Sequence, residues 1–439
     1  MIIWLSSALP LHADEPGSAL APDALASISE TERYTPTTRP SIPEAQHPPK
    51  STPENVDTGK PMHEWQRATD DWFGLRPRLD DRGITFQANI ATDITWDLSG
   101  GAHSGESGFC NLFNANLTIN TERLIGWKGG TFFANFLTEN GDDDLELIGN
   151  TQLVSNIDDN GSTQLSELWY EQILWDGKLR IKAGKVDANT EFSRLEYGLE
   201  FINSSMAYSP TILGFPSYPN PATSVNAFVY PLPNIYWGVG VYDGATQEGI
   251  ATGPRGPATF LGDPSDLFLI SEAGLKWGQV LSGYASAGVW RHTGTFSRFD
   301  DGTESGTAGF YLVLNQTLWR ENPDKPDDSQ GIGMFAMYGY ADPDISIFEH
   351  QIGGGFTWTG LVPSRDDDIL GLGASFVRLT DEPDAGFDRD GELVVELFYK
   401  VQVLKWLSIK PDLQYIHNPG GLSDLDDAIA FTLRLQADF

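Results

Sequence analysis

Along most of the chain, apolar and polar residues alternate with a period of two. That is the pattern of strands with one face against an apolar medium and one against a polar one. The first clear case runs from Ile84 to Thr95. Ile84, Phe86, Ala88, Ile90 and Ile94 fall on one face, and Thr85, Gln87, Asn89 and Asp93 on the other. The same alternation recurs from Phe113 to Asn120. It returns late in the chain, where Leu393, Val395, Leu397 and Tyr399 oppose Glu392, Glu396 and Lys400. Alternation alone does not separate a soluble sandwich from a transmembrane barrel.

Connection lengths separate them. The pattern predicts about sixteen strands, near 84–96, 109–120, 130–139, 164–175, 178–187, 223–231, 234–243, 266–277, 281–293, 308–320, 331–342, 350–359, 369–380, 391–403, 406–417 and 427–439. Connections after odd-numbered strands are mostly long and those after even-numbered strands mostly short, as in Asp176-Gly177 and Leu404-Lys405. An even-stranded antiparallel barrel with short periplasmic turns and long extracellular loops has this parity. The connections 321–330 and 343–349 blur it. The final segment, Ala428 to Phe439, places Ile429, Phe431, Leu433, Leu435 and Phe439 on one face, with Thr432, Arg434, Gln436 and Asp438 opposite. A last amphipathic strand ending in Phe resembles the signal that barrel-assembly machinery reads. The expected fold is an all-β transmembrane antiparallel barrel, with a disordered N-terminal extension and a short N-terminal helix.

The N-terminal region reads differently. Residues 1–13 form an apolar segment ending in Ala13, without a basic leading region, as expected of a truncated export signal. Residues 14–61 are rich in Pro, Ser, Thr and Glu and cannot bury enough apolar surface to offset ordering, so a periplasmic linker is expected. Residues 62–83 are expected to be a short helical segment that either plugs the barrel or rests beneath it. The helical pattern falls between Met62 and Asp71, with Trp65 and Trp72 as anchors, and the barrel occupies 84–439.

Composition narrows the function classes. Hydrophobic residues make up 40% of the 439, yet no run of 18 or more apolar residues follows the first few positions, which excludes a bundle of membrane helices. The net charge of −33 makes nucleic acid an improbable partner, because phosphate binding needs a basic footprint. The runs Asp142-Asp143-Asp144 and Asp366-Asp367-Asp368 read as solvated loops. On the outer face, such a run would instead bridge divalent cations to lipopolysaccharide. One Cys, seven His without metal spacing, and no G-x-S-x-G leave no catalytic motif and no cofactor or metal expected.

Several stretches resemble the OprB-type carbohydrate-selective porins. They are Trp72-Phe73-Gly74-Leu75-Arg76-Pro77-Arg78-Leu79-Asp80-Asp81-Arg82-Gly83-Ile84, Leu168-Trp169-Tyr170-Glu171-Gln172 and Leu179-Arg180-Ile181-Lys182-Ala183-Gly184-Lys185-Val186-Asp187. Further matches are Gly240-Val241-Tyr242-Asp243-Gly244, the turn Gly360 to Arg365 leading to Asp368, the block Glu392 to Tyr399, and Pro411 to Ile416 followed by Asn418-Pro419-Gly420. Their order and spacing cover about 70 to 439. The resemblance implies a sixteen-stranded outer-membrane barrel of a Gram-negative cell, with a narrow passage for small sugars such as glucose. A general or ion-selective porin, and a structural or adhesive surface barrel, are the competing classes; an enzyme is not expected. Expected partners are sugars, outer-membrane lipid and lipopolysaccharide, and the assembly machinery at Phe439; a homotrimer is one arrangement the sequence leaves open.

A sixteen-stranded barrel leaves a water-filled channel unless something narrows it. The long connection 188–222 carries Phe192, Tyr197, Phe201 and Tyr208, and so many aromatics are an aggregation hazard in bulk water, so it is expected to fold inward as a constriction, with an external surface loop as the alternative. Sugar passage calls for aromatic faces and paired charges that replace water around hydroxyls. Candidate lining residues are Glu167, Trp169 and Glu171 on the fourth strand, and Arg180, Lys182, Lys185 and Asp187 on and just beyond the fifth. Asn89, Glu272 with Lys276, Glu396 with Lys400, Lys410 with Asp412, Gln414 and Arg434 extend this mixed lining, the alternative for such pairs being that they only stabilise the barrel wall.

Overall fold

The computed structural model describes residues 61–141, 147–158, 161–255, 262–325 and 328–439. The expected export segment, most of the linker and Asp142-Asp143-Asp144 lie outside the described residues. Sixteen strands close into one antiparallel barrel in which each strand pairs with its sequence neighbours and the last with the first. They are β1 (Ile84–Ser99), β2 (Ser107–Asn120), β3 (Gly130–Gly141), β4 (Thr163–Leu174), β5 (Leu179–Val186) and β6 (Ala222–Leu232). Next come β7 (Ile235–Asp243), β8 (Leu267–Trp277), β9 (Gly283–Ser297), β10 (Thr303–Arg320) and β11 (Gly331–Tyr340). The ring is completed by β12 (Phe348–Thr359), β13 (Ile369–Leu379), β14 (Gly391–Leu404), β15 (Leu407–His417) and β16 (Ala428–Asp438).

Closure depends on a residue pair that the alternation places indoors. Asp93 of β1 lies opposite Arg434 of β16, and the guanidinium donates two hydrogen bonds of 2.6 Å to that carboxylate. Both are buried, and Thr95 and Thr432 bridge their hydroxyls one step along the same seam at 3.1 Å. Outside, the apolar half of each strand stays exposed, as with Phe132, Phe136, Trp237, Ile352, Phe356 and Leu372. That is the lipid-facing belt a barrel must present. The three longest connections, 142–162, 187–221 and 244–266, all leave the rim opposite the chain termini.

Three local expectations are corrected. The helix of the leading segment is α1 (Leu75–Asp81), whereas Met62–Glu64 makes one 3-10 turn. This segment rests on the terminal rim and does not plug the barrel. Ala68 donates to the Asp438 carbonyl at 2.8 Å, Trp72 packs on Phe86 of β1 at 5.4 Å, and the Arg76 guanidinium lies over the Trp72 ring at 4.2 Å. Second, the connection expected at 294–307 shrinks to 298–302, because β9 and β10 run on. Those added turns of strand are Gly, Thr and Ser rich and carry no outward apolar face, so they give no strand signal in the sequence. Third, Asp366-Asp367-Asp368 sits on the terminal rim, so the outer-face cation role does not apply. Asp368 is itself buried, holding Arg365 at 2.7 Å and accepting from Tyr399 and the Gln402 amide. A short helix α2 (Thr121–Ile125), capped by Asn120 accepting from the Arg123 amide, joins β2 to β3 and was not expected.

Candidate functional site

The connection 187–221 folds into the lumen and travels along the wall. Asp187 starts it, donating its amide to Glu167 of β4 at 3.1 Å. Ser193 donates to Glu272 of β8 at 2.9 Å, and Glu196 to Asn315 of β10 at 2.9 Å. Ile202 and Asn203 donate to the two oxygens of Glu396 on β14, at 2.6 and 3.0 Å. The side chain of Asn203 reaches Gln414 of β15 at 3.0 Å. The return path passes β12, where Gln351 donates to the Ser205 carbonyl, and closes where Tyr218 donates to Asp187 at 3.0 Å. Buried wall carboxylates thus supply acceptors for loop amides that no strand pairs, which would otherwise cost about 1–3 kcal/mol each when buried.

Apolar packing supports this route. Phe192, Phe201 and Tyr208 are buried against the wall, not presented to the passage; only Tyr197 is half-buried. Phe201 meets Phe335 and Phe398 edge-on at 5.3 and 5.0 Å, and Phe192 stacks on Phe228 at 5.2 Å. Wall glycines make room for them. A Cβ at Gly333 would stand 2.0 Å from the Tyr197 ring, and one at Gly373 2.7 Å from the Phe201 ring.

On β4 and β5 the predicted charges come together as one cluster. Glu171 and Lys182 are directly opposite in the strand pairing, and Arg180 sits two residues further towards the terminal rim. Arg180 bonds Glu171 at 3.0 Å, and Lys182 lies 3.6 Å from the same carboxylate. Both cations then share Glu191 from the loop, each at 2.5 Å. Glu191 is the central acid, and it was not singled out from the sequence; its place between Asn189 and Phe192 carries no periodic signal. Burial pushes the Glu191 carboxyl upward, but the charges and hydrogen bonds of Arg180 and Lys182 outweigh this and hold it at about 2. Lys182 also lies over the Trp169 ring at 3.7 Å, Trp169 stacks on Phe133 at 4.8 Å, and Arg180 covers Phe228 at 4.2 Å. Both faces of Trp169 are therefore occupied by protein. Of these charged groups Arg180 has the most access to water, with its side chain 18% exposed against 3% or less for Glu171, Lys182 and Glu191.

Lys185 departs from the lining set. It pairs with Leu168 and Thr223, which face outward, and Leu168 is exposed on that face. Its ammonium donates to the carbonyls of Leu165 and Gly253, so it ties down the rim connection that follows β7. Gly184, at φ +136 and with its would-be Cβ 2.2 Å from the Leu168 carbonyl, marks where the strand changes course. Asp187 holds the loop base and faces no open passage, and burial raises its carboxyl.

A second cluster forms on β14 and β15. Lys400 reaches Glu200 of the loop at 2.8 Å, and Lys410 bonds the Glu200 carbonyl at 2.5 Å with its carboxylate 3.7 Å away. Gln414 donates to Asp412 and to the Val154 carbonyl, so Glu396, Asp412 and Gln414 serve as buried anchors for the two inward segments. Arg434 has the same duty, adding Asn156 at 2.8 Å to its Asp93 pair. Glu272 takes the Tyr236 and Tyr311 hydroxyls and the Ser193 amide, which is a different partner set from the expected Lys276. Asn89 lies near the terminal rim opposite Asp438 and Asn114, apart from both clusters. The 147–158 segment, which sequence reasoning left as a loop, is also inward: its Thr151 and Gln152 amides donate to Glu392 at 2.7 and 2.9 Å.

A barrel whose lumen is narrowed from within, with paired charges at the narrowing, is the architecture of a diffusion pore. Comparisons with known proteins agree. The chain is 23% identical to Porin B of Pseudomonas aeruginosa over 84% of its length and 90% of that protein's. It is 22% identical to putative porin QuiX of Acinetobacter baylyi, over 84% of this chain and 92% of the relative. Its fold matches the high-pH structure of Pseudomonas putida OprB with a TM-score of 0.77 at 19% identity, covering 86% of this chain and 99% of that one. The family model described as carbohydrate-selective porin, OprB family, matches residues 111–439. The chain therefore belongs to the OprB family of carbohydrate-selective porins and is a channel of the outer membrane.

Proposed function

We propose that the pore passes small neutral carbohydrates, monosaccharides in particular, by diffusion through the gap left beside the inward loop. The observation that carries this reading is the charge-balanced clasp of Arg180 and Lys182 with Glu171 and Glu191. A passage walled by one sign of charge selects ions, whereas fixed, mutually neutralising charges offer hydrogen-bonding groups with little net attraction for either sign. In this reading Arg180 meets sugar hydroxyls, and Glu171, Glu191 and Lys182 hold its guanidinium in place. Trp169 supports the clasp from beneath and does not stack on the sugar. Glu167, Asp187, Glu396, Asp412, Gln414 and Arg434 shape the gap by fixing the loop path. Binding stays weak because few groups reach the passage, and a permeant must leave as readily as it enters.

Swelling of proteoliposomes carrying the full chain tests the reading. Glucose is expected to enter faster than charged solutes of similar size and faster than larger saccharides. Equal rates for neutral and charged solutes of one size would overturn it.

A further inference from the structure

The inward loop carries two carboxylates that each bridge two wall cations. Glu191 sits between Arg180 and Lys182 of β5, and nine residues later Glu200 sits between Lys400 of β14 and Lys410 of β15. β5 and β14 are seven places apart by the shorter way round the sixteen-stranded ring and nine by the other, so the two bridges lie on facing walls. Their exposure is reversed. At the first bridge the carboxylate is 1% exposed and the cation Arg180 is 18% exposed. At the second the two lysines are 5% and 3% exposed and the carboxylate is 28% exposed. Water therefore meets a cation at the first bridge and an anion at the second, while on the loop between them Glu196 is exposed and Arg194 partly exposed.

From this we propose that Glu200 is a specificity-determining residue of the pore, the water-exposed acid beside the lysine pair, where Glu396 and Asp412 of the same wall are buried, and that it keeps the β14–β15 wall from drawing in anions. This rests on the sugar-pore reading above and deepens it. A neutral polyol has hydroxyls that both donate and accept, so it gains from an acceptor at Glu200 and a donor at Arg180. A solute of single charge is attracted by one wall and repelled by the other. Phe398, beneath Lys410 at 5.0 Å, keeps that lysine directed at Glu200 and away from the gap. The 3-10 turn Gly198–Glu200, followed at once by the Glu396 anchor on Ile202 and Asn203, fixes where the carboxylate stands.

Ion preference in planar bilayers tests this, read as the zero-current potential of the purified full chain in a potassium chloride gradient. Glu200→Gln keeps the shape and hydrogen-bonding reach while removing the charge, and is expected to lower the potassium-to-chloride permeability ratio by about threefold or more. Lys400→Gln is expected to move the ratio the other way, which keeps the test decisive if one variant fails to fold. Glu200→Asp should stay near the parent value, and Asp367→Asn, an exposed acid on the terminal rim, should leave the ratio unchanged. An unchanged ratio in both Glu200→Gln and Lys400→Gln overturns the proposal, as does an equal shift in Asp367→Asn. Glucose swelling by the unsubstituted chain separates the two readings: if it fails while Glu200→Gln still shifts the ion ratio, the sugar reading falls and the role of Glu200 in charge selection stands.

Discussion

The β4–β5 wall and the β14–β15 wall use the same materials, two cations, acidic groups and an aromatic beneath, and assemble them differently. On β4–β5, Glu171 and Lys182 are cross-strand neighbours, so the wall half-satisfies its own charges before the loop arrives. On β14–β15, Glu396 faces loop amides, and the lysines reach to Glu200, which is distant in sequence. One wall is a clasp that the loop completes, and the other is a dock that has its shape only when the loop is present. The cross-strand pair of the clasp is set by strand register, whereas the docked pairs are set by the path of the loop.

The largest expected effect comes from breaking the clasp at its centre. Glu191→Ala leaves buried Lys182 and part-exposed Arg180 with one remaining carboxylate, which costs up to about 3–5 kcal/mol. Part of that is relieved by loop release, so single-channel conductance should rise and discrimination among sugars of different size should fall. Next, Glu396→Ala leaves the Ile202 and Asn203 amides without their acceptor, at about 1–3 kcal/mol. Hydrogen exchange at these two amides should speed up while exchange in β4 and β5 stays slow. If β4 and β5 loosen equally, the two walls are not independent.

Third, Arg180→Ala should slow glucose flux by about tenfold, near 1.4 kcal/mol, with a smaller effect on thermal unfolding. A lower melting temperature with unaltered flux would place Arg180 in the wall and not at the gap. Acid provides a graded version of the first test. The Glu191 carboxyl lies at about 2 against an ordinary 4.5, so its contribution is fully present above 4.5 and is lost as pH falls towards 2. Conductance and sugar discrimination should be unaffected by this clasp between pH 7 and 5 and change only below about 4.5, which titration of the reconstituted channel would check. The smallest effect belongs to Lys185→Met. Its side chain leaves the lumen, so glucose flux should stay within error of the parent while the connection after β7 loosens; a large loss of flux would return Lys185 to the passage.

The comparison also explains what was legible beforehand. Glu171, Arg180 and Lys182 could be grouped because cross-strand partners follow from alternation and a short turn. Glu191 and Glu200 could not, since a loop residue has no period and its partner depends on the path taken. The absence of a polar lumen face on β11 has the same origin. Gly333, Phe335, Met337 and Gly339 on β11 face the lumen yet are apolar or bare, because the loop packs there and replaces water. Lys185 was grouped with the lining although alternation itself puts it on the face opposite Arg180 and Lys182, the face it shares with Leu168 and Thr223.

Sequence alone determined the barrel, its sixteen strands and the polar faces that carry Asp93 and Arg434, and it led to the expectation that the aromatic loop turns inward. These follow from a period of two, from connection lengths and from the cost of exposing aromatics to water. Only the tertiary structure decided which charges meet water. Most of the expected lining turned out to be buried support, because a loop inside a barrel brings its own unpaired amides, and buried amides claim the nearest carboxylates. That Arg180 on one wall and Glu200 on the other keep partial access to water is set by that competition and not by any local pattern.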